Sequence, residues 1–248
     1  MLALDTAAYN SPWRTRHPGE KALLSLGLLG CALALPTWPA AAIVAAVATS
    51  VLLGPAAVRL AQLWHAMRAP MLFIGTGAVP LLVSVSSPVD IGWQSDGLAA
   101  AATLTGRATA CLLCLLLFAA TTPLADVLPR LTRFGVPVAV TEVAALTYRM
   151  VFLLLDSARA VREAQAARLG YRTWATSYRS VAVQAAAIFI RAFDRARRLE
   201  EGLALRGYTG SLRVQVETRR VSPVFVVATL LVLAAVVGST YAIRLAMT

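Results

Sequence analysis

Charge is what this 248-residue chain has least of. Charged residues make up 14% of it and hydrophobic ones 58%, against about 25% and about 45–50% in an ordinary globular domain. So few charges cannot cover a water-soluble surface, which excludes a soluble fold. Lysine is all but missing, Lys21 being the single one among 23 basic residues. No Gly-x-x-x-x-Gly-Lys-Ser/Thr occurs, so the chain cannot hold ATP in a phosphate loop. Histidine is scarce: His17 and His65 lie far apart with no His or Cys at ligand spacing, and no metal site is expected. The three cysteines, Cys31, Cys111 and Cys114, all sit in apolar runs, which argues against a disulfide framework. Cys111 and Cys114 form a Cys-x-x-Cys, but without further ligands or a polar setting they read as small hydrophobes. No Ser/His/Asp set and no paired carboxylates appear, so no catalytic residues are expected.

What is present is length of apolar sequence. Runs extend from Ala22 to Trp38, Ala40 to Val58, Pro70 to Val85, Gly97 to Thr121 and Val224 to Ala242. Each approaches the roughly 17–25 residues that cross a bilayer as a helix. The first has bases before it and an Ala32-Leu33-Ala34 that imitates a cleavage site, yet its long polar leader and the second run so close behind favour a retained span. The stretch 136–155 is apolar enough for a sixth span, and charge decides against it. The connections at 36–39 and 86–96 carry no base, whereas Arg14, Arg16 and Lys21, then Arg59 and Arg68, then Arg130 and Arg133 mark the other side. By the positive-inside rule the amino terminus and residue 122 are cytoplasmic. Were 136–155 to cross, the segment from Arg149 to Arg220, with 14 Arg against 6 acids, would lie outside. Glu142, Arg149, Asp156 and Glu163 also recur every seven residues, a single polar stripe suited to a helix lying on the membrane surface.

The expectation is an all-α integral membrane protein of about five transmembrane helices plus a cytoplasmic, membrane-apposed domain of long amphipathic helices. Residues 1–121 hold the leader and four spans, 122–220 the cytoplasmic domain, and 221–248 the last span. The chain is then a multi-pass protein of the cell inner membrane. Arg107, midway along the fourth span, must face protein or backbone carbonyls, and a structural tie within the bundle is the expected role. Inside the cytoplasmic domain, Phe189, Phe193, Ala196, Leu199 and Leu203 mark one apolar helix face. Two helices end alike, as Ala167-Arg168-Leu169-Gly170-Tyr171 and Ala204-Leu205-Arg206-Gly207-Tyr208. Gly suits a helix stop and Arg suits the last turn. Two such ends on an Arg-only domain suggest two docking points for acidic surfaces, because Arg pairs bidentately with carboxylates.

At these residues the chain resembles the transmembrane coupling (T) component of energy-coupling factor transporters, most nearly the CbiQ type associated with cobalt and nickel uptake. The resemblance covers nearly the whole chain. It takes in Asp5, Ser11-Pro12-Trp13, His17-Pro18 and Glu20-Lys21 of the leader, Thr121-Thr122-Pro123-Leu124, and Tyr148-Arg149, Asp156, Arg159 and Glu163-Ala164-Gln165. It ends in the two Arg-Gly motifs. The family's signature is Ala-Arg-Gly at two coupling-helix ends; here the first reads Ala167-Arg168-Leu169-Gly170, with Leu inserted, and the second Leu205-Arg206-Gly207, with Leu for Ala.

The resemblance implies a subunit without chemistry or cofactor of its own, ATP and Mg being bound by partners. Those partners would be two ABC-type ATPases, docked through Arg168 and Arg206 with Ala167, Gly170, Leu205 and Gly207 around them, and a small membrane S component that holds the metal or vitamin. Arg149, Asp156, Arg159 and Glu163 would support the coupling helices. A T component serving a vitamin, or a scaffold whose basic domain binds anionic lipid, are the alternatives; nucleic acid is not expected.

Overall fold

The computed structural model describes residues 3–87, 90–93, 97–208 and 221–247. In chain order its helices are α1 (Ala3–Asn10), α2 (Pro18–Ala34), α3 (Thr37–Leu53), α4 (Leu60–Leu82), α5 (Gly97–Thr121), α6 (Leu124–Val127), α7 (Val138–Ala167), α8 (Trp174–Leu205) and α9 (Pro223–Met247). Short 3-10 turns at Pro12–Thr15 and Leu128–Phe134 and one antiparallel hairpin, β1 (Val83–Ser87) with β2 (Asp90–Trp93), complete the set. The chain forms two compact units, Met1–Leu124 with Glu217–Thr248, and Ala125–Val216.

The first unit is a helical bundle around α5. α2 starts at Pro18, whose missing N–H costs nothing in a first turn, behind His17, whose ring accepts the Gly19 N–H. It stops at Leu35, held extended before Pro36. Leu24, Leu28 and Ala32 of α2, Ala41, Val44, Ala48 and Leu52 of α3, and Ala110, Leu113, Leu117 and Ala120 of α5 recur at three- and four-residue steps and form one core with Val236 of α9. Alanine and glycine at these steps let backbones approach. A Cβ on Gly27 would stand 2.6 Å from Leu233, and one on Gly106 would stand 3.0 Å from the Trp38 ring.

The second unit has almost no core. Of the 30 residues of α7 only Thr141 and Glu142 are buried, and of the 32 of α8 only Ser180. Phe189 and Phe193 stack on each other at 6.5 Å on α8, yet remain 69% and 63% exposed.

Among the described residues, three helices are long and apolar enough to cross a membrane: α5, α9 and α7. α3 is apolar but only 17 residues long, about 25 Å of helix. The chain is thus a helical, multi-pass membrane protein. α7 joins that set through its apolar first half, whereas the charge pattern of the sequence led to the expectation of a surface helix. α4 begins about ten residues before the apolar run read from the sequence and carries Pro70 and Pro80 inside it.

Candidate docking site at two arginine-tipped helix ends

α7 and α8 end in the same backbone motif. Arg168 closes α7 at φ −92°, ψ 15°, and Arg206 closes α8 at φ −93°, ψ 10°. The following residue is left-handed in both, Leu169 at φ 59° and Gly207 at φ 73°. Leu169 N–H donates to Ala166 O at 3.0 Å and Gly170 N–H to Gln165 O at 2.9 Å; Gly207 N–H donates to Ala204 O at 3.1 Å and Tyr208 N–H to Leu203 O at 3.0 Å. Each pair of bonds is a Schellman closure, which satisfies the last carbonyls of a helix. The two arginines therefore correspond position for position. Leu169, not Gly170, stands where Gly207 stands, so in backbone terms no residue is inserted; the glycine is displaced by one.

Both tips are open. Ala167, Arg168, Leu205, Arg206 and Gly207 are exposed, as is Leu169, and neither guanidinium has an ion pair or hydrogen bond among the described residues. Each tip offers five guanidinium N–H donors and a fixed positive charge.

The first tip is braced by polar groups between α7 and α8. Ser180 Oγ donates to Gly170 O at 2.8 Å, Gln165 Nε2 to Ser180 O at 3.1 Å, and Gln184 Nε2 to Ala158 O at 2.9 Å. The Tyr171 hydroxyl donates to Gln165 Oε1 at 2.8 Å, with Gln184 Oε1 at 3.2 Å. Thr173 and Thr176 cap the start of α8 reciprocally. Gly170 is required here by contact: a Cβ would stand 2.6 Å from Ser180 Oγ and 2.9 Å from the Gln165 carbonyl oxygen. The sequence flagged Gly170 but not the Gln165–Tyr171–Gln184 brace, whose i, i+6 and i+19 spacing matches no periodic pattern.

The residues expected to support the coupling helices lie along α7. Arg159 and Asp156 form an exposed pair at 3.7 Å, and Arg149 and Glu163 are exposed. Such a pair contributes little to stability. Arg107 on α5 donates through Nη2 to Leu35 O at 3.1 Å, a cation at the carbonyl end of α2, while its Nε is buried without a hydrogen-bond partner. No group of three His, Cys, Asp or Glu side chains that could hold a metal occurs among the described residues.

Lys21 and Glu20 emerge as structural anchors that the sequence marked only as leader residues. Lys21 is 1% exposed and donates to Thr121 O at 2.7 Å and Trp13 O at 3.1 Å. Ser11 Oγ donates to Ala56 O at 2.9 Å, and Trp13 meets Phe225 edge-on at 5.3 Å. Backbone acceptors a hundred residues away leave no trace in sequence spacing.

A family model described as CbiQ, cobalt transport protein, matches residues 10–218. The chain is 42% identical over 238 residues to the cobalt transport protein CbiQ of Rhodobacter capsulatus, covering 96% of each. It is 28% identical over 230 residues to the CbiQ of Salmonella typhimurium, covering 86% of this chain and all of that one. A putative fused cobalt transport protein CbiMQ of Methanocorpusculum labreanum is 28% identical over 180 residues, 68% of this chain and 30% of the fusion. With a match spanning both the leader and the two arginine tips, the chain belongs to the CbiQ family and is a non-catalytic transmembrane coupling component of an ECF-type transporter.

Proposed function

We propose that the chain transmits the motion of two ABC-type ATPases to a small substrate-holding membrane protein in a cobalt importer. The observation that carries this is the pair of equivalent helix ends, each presenting one exposed arginine on the same backbone geometry. Two matching tips suit two matching grooves. Arg168 and Arg206 dock there against carboxylates, with Ala167, Leu169, Gly170, Leu205 and Gly207 shaping the approach. Arg149, Asp156, Arg159 and Glu163 keep α7 in register beneath them. The uncovered apolar face of α8 around Phe189 and Phe193 meets the membrane partner. Cobalt is assigned over nickel or a vitamin because the three relatives above are named for cobalt.

The topology that serves this role has five crossings, α2, α3, α4, α5 and α9, with the amino terminus and residues 122–220 on the cytoplasmic side. α7 then lies on the membrane surface, since crossing would carry 14 arginines outward. Arg107 ties α5 to the end of α2 within the bundle.

Substitution separates docking from lipid binding. Arg168→Ala or Arg206→Ala is expected to cut ATPase affinity at least about tenfold, and Lys at either position to restore little of it, because a bidentate fork is lost. Arg197→Ala, which removes only an exposed pair with Glu201, should change nothing. Equal losses at all three positions, with full rescue by Lys, would mean a basic surface on anionic lipid instead.

A further inference from the structure

Two neighbouring residues in the first turn of α2 grip both joints of the second unit. Lys21 Nζ holds the carbonyl of Thr121, the last residue of α5, at 2.7 Å. Glu20 Oε1 accepts the N–H of Ser222, the residue before α9. Between Thr121 and Ser222 the chain runs out through Ala125–Val216, the whole of the second unit. The segment that leaves and the segment that returns are thus tied to one dipeptide, about 100 residues apart in sequence.

Three features make this more than ordinary packing. Both side chains are ionisable and nearly dry, Lys21 at 1% and Glu20 at 3% exposure, a costly setting unless specific contacts offset the lost hydration. Lys21 is the only lysine in a chain that uses arginine at every other basic position. A slim ammonium can aim separate donors at the Trp13 and Thr121 carbonyls from within a closed space, which a broad planar guanidinium cannot. Glu20 Oε2 is buried with no hydrogen-bond partner among the described residues, so a group able to accept twice accepts once. A Gln or Ser could satisfy Ser222 alone at lower cost.

We propose that Glu20 and Lys21 are positioning residues of the coupling cycle. They fix Thr121 and Ser222 to α2, so that movement reaching either joint passes to α5 and α9 together. This rests on the coupling function proposed above.

The test is a ratio measured on the intact complex of this chain with its ATPases and small membrane protein in liposomes: Co2+ accumulated per ATP hydrolysed. Lys21→Met and Ser222→Pro each cut one tie. With both, the complex should assemble and hydrolyse ATP within about twofold of wild type, while Co2+ per ATP falls about tenfold or more. Glu20→Gln, which keeps an acceptor for Ser222, should stay within about threefold, and Lys21→Arg should not rescue. An unchanged ratio in both tie-cutting variants overturns the proposal. So does a fall in hydrolysis and uptake in step with lost complex, for then the two residues serve folding alone. If the wild-type complex hydrolyses ATP without taking up Co2+, the substrate assignment fails instead, and the same ratio is read with Ni2+. If it contains no ATPase, the coupling function fails and this proposal with it.

Discussion

Leu169 sits at φ 59°, a conformation that a branched side chain avoids. The strain is about 1–2 kcal/mol, and glycine would cost about 0.5–1 kcal/mol in chain entropy. Leu169→Gly should therefore stabilise the end of α7 by less than ~1 kcal/mol, seen as slower amide hydrogen exchange at Gly170. Gly207→Leu should do the reverse at α8, by a similar net amount of less than ~1 kcal/mol. If both changes destabilise equally, the two tips are not equivalent in backbone. That a leucine stands in the left-handed position was not legible from the sequence, which offers Gly170 as the natural stop and suggests an insertion. Gly170 answers to a different demand, the Ser180 hydroxyl and the Gln165 carbonyl pressed against it. Gly170→Ala should open the brace and cost stability, whatever its effect on docking.

At the scale of elements, periodicity carries far and then stops. Long apolar runs located α2, α3, α5 and α9, and steps of three and four located the apolar face of α8, while the core stripes of the bundle became visible only in the folded chain. Periodicity could not tell which apolar faces the chain itself covers. The Phe189 and Phe193 side of α8 reads as one apolar helix face in sequence and stands open in the folded chain. Phe189→Ala with Phe193→Ala should thus change the thermal midpoint of the isolated chain by little, ~0.5 kcal/mol or less in stability. The same change should weaken assembly with the small membrane protein severalfold, measured by co-purification. A large loss of stability in the isolated chain would show that the face is covered from within. Tyr171→Phe probes the α7–α8 brace. It removes the donor to Gln165 and should cost about 1 kcal/mol, with Arg168-dependent docking weakened in parallel.

For the whole molecule, the charge balance and the helix lengths pull α7 in opposite directions. Its apolar half is long enough to cross, while the arginines that follow it favour staying inside. A cysteine placed at Thr147 or Ser157, in a chain with Cys31, Cys111 and Cys114 replaced by Ala, should react with an impermeant thiol reagent from the cytoplasmic side only. Labelling of position 157 from outside would require a sixth crossing. The membrane class and the coupling family were legible from composition and motif. The ties at Glu20 and Lys21 were not, because their partners are backbone groups brought near only by the completed bundle.

The most direct measurement is a mild-detergent purification of the tagged chain from its own host, with every co-purifying protein identified and bound metal assayed. A coupling subunit brings down one or two kinds of ABC ATPase and a small membrane protein loaded with cobalt, and it loses the ATPases when Arg168 and Arg206 are both Glu. Recovery of anionic lipid without any ATPase, unchanged by those substitutions, would contradict the coupling role and leave the two arginine tips as helix caps.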